Sequence, residues 1–147
     1  MKIFTIGFTK KTAQKFFELL KISYVDVLID VRLNNTSQLA GFAKSPDIEY
    51  FLKEICDIKY IHDSTFAPTE KLLKDYKNNR LSWELYEETF ADIMNSRKIE
   101  EYISSKYQFL QDKNICLLCS EDIAQKCHRR LVAQYFESLF NTSVNHL

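Results

Sequence analysis

Seven residues, Val25 to Val31, read VDVLIDV. They are β-branched and mostly apolar, as a strand buried on both faces should be. Such a strand needs helices above and below it, and the rest of the chain alternates accordingly. Lys2 to Ile6 reads as a short strand stopped by Gly7. Thr9 or Thr12 can cap a helix from about Lys11 to Lys21, in which Phe16, Phe17, Leu19 and Leu20 form an apolar stripe. Ser45 as cap, Pro46 at the first helical position, and Asp47 and Glu49 at the positive end of the dipole predict a helix ending near Cys56. Lys59 to His62 is a third strand. From Pro68 to about Lys106 the pattern is helical in three segments, the second capped by Ser82. Ile115 to Cys119 is a fourth strand, Arg129 to Phe140 a helix, and Ser143 to His146 a short last strand. The expected fold over residues 1–147 is a single three-layer α/β domain, with a mainly parallel sheet of about five strands and helices on both faces.

Composition narrows the function. The chain has 147 residues, 46% hydrophobic and 14% aromatic, enough to build one core and too apolar for a disordered segment. Lys plus Arg and Asp plus Glu both number 20, which argues against broad, sequence-independent duplex binding. No apolar run approaches the roughly eighteen residues of a membrane span. MKIFTIGF lacks a small-residue cleavage site and reads as a strand rather than a signal peptide. Four cysteines without an export signal are expected to be reduced thiols, which points to the cytoplasm.

In open parallel sheets ligands bind outside the carboxyl ends of the strands. Those ends carry Gly7-Phe8-Thr9, Asp30 with Arg32, His62-Asp63 and Cys119-Ser120-Glu121. The most informative stretch is Leu117 to Arg130, LLCSEDIAQKCHRR, which reads as strand, loop and helix start. A helix beginning near Cys127 offers free backbone N–H groups, and His128, Arg129 and Arg130 add donors beside them. Helices favour acids in the first turn, so this basic cluster opposes local stability, a conflict expected at functional sites. The functional reading is an anion pocket for phosphate or carboxylate, formed by Arg129, Arg130 and Arg32 with Gly7, Thr9 and His62 alongside. The structural reading is that Arg129 or Arg130 pairs with Glu121, Asp122 or Asp30 and ties the loop down.

Cys119 carries three readings. Near a helix N-terminus and basic residues its thiol can act as a nucleophile. With Cys127 and His128 it can bind a metal, Glu121 or His62 completing the set. It can also be an inert core residue. Cys116 and Cys119 have CxxC spacing, but on a strand their side chains point to opposite faces, so the pair is not a zinc knuckle. Adjacent Cys127 and His128 seldom ligate one ion together. Asp30 is read as a base, as a partner for His128, or as a salt bridge to an arginine. Trp83, Tyr86 and Phe90 recur at helical spacing as core, with Tyr86 or Trp83 placed to roof the pocket. The lysines of KLLKDYKNNR form a solvated face. No GxGxxG, GxxxxGK[ST] or GxSxG is present, and a Cys-x5-Arg loop from Cys119 would need arginine where Gln125 stands.

TIGFT at Thr5 to Thr9, LIDVR at Leu28 to Arg32, GFAK at Gly41 to Lys44, FAPTEKLLKDYKNNRLSWELYEETF and LLCSEDIAQKCHRRLVA together resemble domain-of-unknown-function family 488. The resemblance covers nearly the whole chain and is most distinctive in the last block. It implies a compact α/β domain in an intracellular setting and supplies no reaction. The family pattern has TIG followed by His, and this chain has Phe8 at that place, so any chemistry of that histidine is missing here.

The reading that best joins these features is an enzyme for a phosphate-bearing or nucleotide-like substrate. Cys119 or Glu121 acts at the reacting centre, His128 in proton transfer with Asp30 nearby, and the arginines hold the anion. A non-catalytic nucleotide or nucleic-acid binding module and a metal-dependent enzyme using Cys119, Cys127 and His128 stay open as alternatives.

Overall fold

A computed structural model describes all 147 residues. The strands are β1 (Ile3–Gly7), β2 (Val27–Asp30), β3 (Lys59–His62), β4 (Ile115–Cys119) and β5 (Val144–His146). The helices are α1 (Ala13–Ile22), α2 (Asp47–Cys56), α3 (Glu70–Lys77), α4 (Trp83–Ser96), α5 (Ile99–Lys106) and α6 (His128–Phe140). No helix is long and apolar enough to cross a membrane.

The sheet runs β3-β2-β4-β1-β5, and every neighbouring pair is parallel. The expected single α/β domain with a five-stranded parallel sheet is therefore what forms. Strand alternation divides the core in two. Ile115, Leu117 and Cys119 face one apolar cluster with Val27, Ile29 and residues of α3 to α6. Cys116 and Leu118 face the other, with Leu28 and residues of α1 and α2. Cys116 and Cys119 thus lie on opposite sides of the sheet, as their spacing requires.

Local signals place most helix starts. Thr12, rather than Thr9, caps α1 by accepting from the Lys15 N–H at 3.1 Å. Ser82 and Thr69 cap α4 and α3 in the same way. The expected Ser45 cap does not form. α2 starts at Asp47, preceded by Pro46 with no side-chain cap, while the Ser45 backbone N–H donates to the Asn35 carbonyl at 2.6 Å. Asp47 and Glu49 alone supply the favourable charge at that helix start.

The chain order of the strands matters for the site. From β1 the chain moves to β2 and then β3 on one side, with α1 and α2 covering one face. It then returns to β4 at the centre and leaves for β5 on the far edge, with α3 to α6 covering the other face. The loops after β2 and β4 therefore part to opposite faces of the sheet. A crevice opens where adjacent strands diverge in this way.

Candidate functional site

That crevice is a cleft of about 480 Å³ at the carboxyl ends of β2 and β4. Cys119, Cys127 and His128 line its depth, and Arg32, Glu121 and Lys126 its rim. Tyr76, Trp83 and Tyr86 form one wall. Trp83 and Tyr86 stack with ring centroids 4.9 Å apart, and Tyr76 meets Trp83 edge-on at 5.7 Å. These aromatic residues both pack α4 against α3 and roof the pocket.

Cys119 ends β4 and His128 begins α6, so the Ser120–Cys127 loop folds them together. The Cys119 Sγ lies 3.6 Å from His128 Nδ1 and 3.9 Å from Nε2. His128 Nε2 lies 2.9 Å from the Val31 carbonyl oxygen. A carbonyl only accepts, so Nε2 carries the proton and the neutral ring keeps Nδ1 free to accept from the Cys119 thiol. The Phe90 ring, 5.9 Å away centroid to centroid, backs the imidazole. The result is a thiol beside a base whose tautomer is set by a backbone group.

The surroundings lower the pKa of the Cys119 thiol. A hydrogen bond from Cys127 lowers its pKa, burial opposes this, and the Ser120 backbone N–H and the Arg129 charge lower it further. The Cys127 thiol moves the other way, raised by its contact with Cys119 and by burial. Cys127 is therefore the donor of the pair and Cys119 the acceptor. Burial raises the Cys116 thiol on the opposite face, against the lowering effect of the Arg129 charge.

Arg129 does not open onto the cleft. It is fully buried, and its Nη1 donates to the Glu121 carbonyl, its Nη2 to the Asp122 carbonyl at 3.1 Å and its Nε to Thr5 Oγ1 at 3.2 Å. It clamps the loop through backbone oxygens rather than the carboxylates the sequence offered. No carboxylate pairs with its buried charge, and that charge helps lower the Cys119 pKa. Arg130 also turns away, pairing with Glu87 and resting over the Trp83 ring at 5.9 Å. Arg32 is the arginine of the trio that reaches the cleft. Its Nε and Nη2 bind Asp30 at 2.8 and 2.6 Å and Nη2 also donates to the Ala43 carbonyl, while Nη1 has no protein partner. Phe8 lies under this guanidinium at 5.2 Å.

Asp30 is not in the cleft. It shares the parity of Leu28, so its carboxylate faces the α1–α2 side, where it accepts from Arg32 and from Tyr60 Oη at 2.6 Å. The reading of Asp30 as a base or as a partner of His128 gives way to that of a buried salt bridge. His62 sits on the edge strand, where its Nε2 bonds the Arg32 carbonyl at 2.8 Å. Thr9 holds the Ser120 carbonyl through both its N–H and its hydroxyl, at 3.2 and 2.7 Å. Gly7 lies directly beneath the Glu121 backbone. Thr9 and Gly7 thus shape the loop and do not line the cleft.

Four of the expected site residues come together at the cleft: Cys119, Glu121, His128 and Arg32. Lys126, Lys77 and Tyr76 join them. Tyr76 comes from α3, outside the α4 spacing that marks Trp83 and Tyr86, and the orienting Val31 carbonyl has no side-chain signal at all.

The family described as domain of unknown function DUF488 matches residues 12–136, which take in the α1 helix, the cleft and most of α6. The chain belongs to the DUF488 family. No curated protein and no solved structure shows a significant match to it.

Proposed function

We propose that this DUF488 protein is an enzyme acting on a phosphate-bearing or nucleotide-like substrate, with Cys119 as nucleophile and His128 as its base. The observation that carries this reading is the 3.6 Å approach of Cys119 Sγ to His128 Nδ1, with Nε2 committed to the Val31 carbonyl. His128 takes the thiol proton, Sγ bonds to the electrophilic atom of the substrate, and the leaving group departs with the bonding pair and the proton from His128. Water, deprotonated by His128, then displaces the substrate fragment from sulfur and restores the thiol. The free Nη1 of Arg32 and the ammonium of Lys126 suit an anionic group, and the Tyr76–Trp83–Tyr86 wall suits a planar ring.

The test is turnover of p-nitrophenyl phosphate and of a panel of nucleoside mono-, di- and triphosphates. Product formation that disappears in both Cys119→Ser and His128→Gln supports the reading. A nucleotide that is bound and recovered unchanged makes the domain a binding module. Turnover that survives in Cys119→Ser removes the cysteine from the chemistry.

A further inference from the structure

The same three side chains that make the nucleophile have the chemistry of a soft-metal site. The sulfurs of Cys119 and Cys127 and a ring nitrogen of His128 all lie within 4.8 Å of one another. A tetrahedral zinc ion holds sulfur at about 2.3 Å and nitrogen at about 2.0–2.1 Å, which sets sulfur–nitrogen edges of about 3.6 Å and sulfur–sulfur edges of about 3.8 Å. The Cys119 Sγ to His128 Nδ1 distance is 3.6 Å, so that edge already fits. The adjacency of Cys127 and His128, unfavourable in sequence, is overcome because Cys127 precedes α6 in extended conformation while His128 is its first helical residue. The two side chains thereby converge.

Two further features suit a metal. His128 donates its other ring N–H to the Val31 carbonyl, the arrangement that fixes the tautomer and orientation of metal-bound histidines. All three residues line the cleft, so a fourth coordination position faces open space. Sulfur and imidazole donors select zinc-like ions over calcium or magnesium. Two thiolates also cancel the charge of a divalent ion, so the nearby Arg32 and Arg129 do not oppose it.

We propose that Cys119, Cys127 and His128 form a three-ligand Zn²⁺ site whose fourth position opens to the cleft. It uses the site of the proposed enzyme and regulates it. Binding releases the thiol protons to solvent and commits the Cys119 lone pair to the ion. Zinc and nucleophilic attack are then mutually exclusive, and the loaded protein is the silent form.

The experiment titrates reduced, metal-free full-length protein with Co²⁺ and follows its absorption. Binding at one Co²⁺ per chain, with thiolate charge-transfer in the near ultraviolet, intense tetrahedral bands in the visible and displacement by Zn²⁺, is the expected result. Cys127→Ser should bind Zn²⁺ at least about tenfold more weakly, since losing a direct ligand costs no less than losing an outer-shell partner. Cys56→Ser, which touches neither the cleft nor α6, should bind normally. Absence of the charge-transfer band, or affinity indifferent to Cys127→Ser, overturns the proposal. Iodoacetamide labelling of Cys119, read by mass spectrometry with and without Zn²⁺, separates the two readings. Labelling of the metal-free protein without any cobalt signature keeps the nucleophile and removes the zinc. A cobalt signature with no labelling of the metal-free protein does the reverse.

Discussion

Gly7 passes so close beneath Glu121 that a β carbon on it would lie 1.7 Å from the Glu121 carbonyl oxygen. The loop that carries the cleft's rim can cross the end of β1 only because residue 7 has no side chain. Gly7→Ala must therefore lift the Ser120–Lys126 loop and loosen the Arg129 clamp. The expected cost is about 1–3 kcal/mol of stability, as for other overpacked sites, measured by denaturant unfolding. A wild-type unfolding midpoint in Gly7→Ala would show that the loop has room to spare.

Arg129→Met is expected to unfold the protein far more readily than to impair a ligand. The change removes the donor of the part-buried Glu121 and Asp122 carbonyls and one of the two partners of the buried Thr5 hydroxyl, and an uncompensated buried group costs about 1–3 kcal/mol. The melting temperature should fall by roughly 10 °C for a domain of this size. A stable Arg129→Met protein that had lost only phosphate or nucleotide binding would instead restore Arg129 to the anion site.

Cys116→Ala should leave the site untouched. The residue is fully buried on the α1–α2 face, across the sheet from Cys119. A loss of about 1 kcal/mol from the small cavity is expected, with the rate of Cys119 alkylation unchanged. A changed alkylation rate would mean that the two faces are coupled.

Asp63 sets the acid limit of the fold. Burial alone would raise its pKa, but hydrogen bonds from Lys106, Tyr107, Tyr102 and Thr65 outweigh it and bring the carboxyl to about 2. A folded pKa below the unfolded value contributes stability above pH 4, and that contribution is lost as pH falls from about 4 to 2. Asp63→Asn should be less stable at neutral pH and should show a flatter acid limb in unfolding experiments over that window. An unchanged limb would assign acid sensitivity to other carboxyls.

Period-2 reasoning placed Cys116 correctly, and the same rule applied to Leu28 and Asp30 would have put Asp30 on the far face. Its position at a strand end, where polar residues gather at functional sites, points the other way. Arg129 was ambiguous for a different reason. Its basic character at a helix start suggests an anion site, and only three-dimensional packing shows its donors consumed by backbone oxygens. The Val31 carbonyl that orients His128 is invisible in any residue pattern, because every residue has a carbonyl. The strand ends of β2 and β4, by contrast, located the cleft from hydropathy and spacing alone.

The central place of β4 has a consequence for biogenesis. β1 and β2 are not neighbours, since β4 lies between them and pairs with both. During synthesis the first hundred residues emerge with two apolar strands whose mutual partner has not yet been made. Until Ile115–Cys119 leaves the ribosome, those strands keep unpaired edges of the kind that template aggregation. The pairings of β4 with β1 and β2 also join segments far apart in the chain, which slows folding. The strand that ends in Cys119 is thus also the one that joins the two halves of the sheet, and a chain truncated before it should be insoluble.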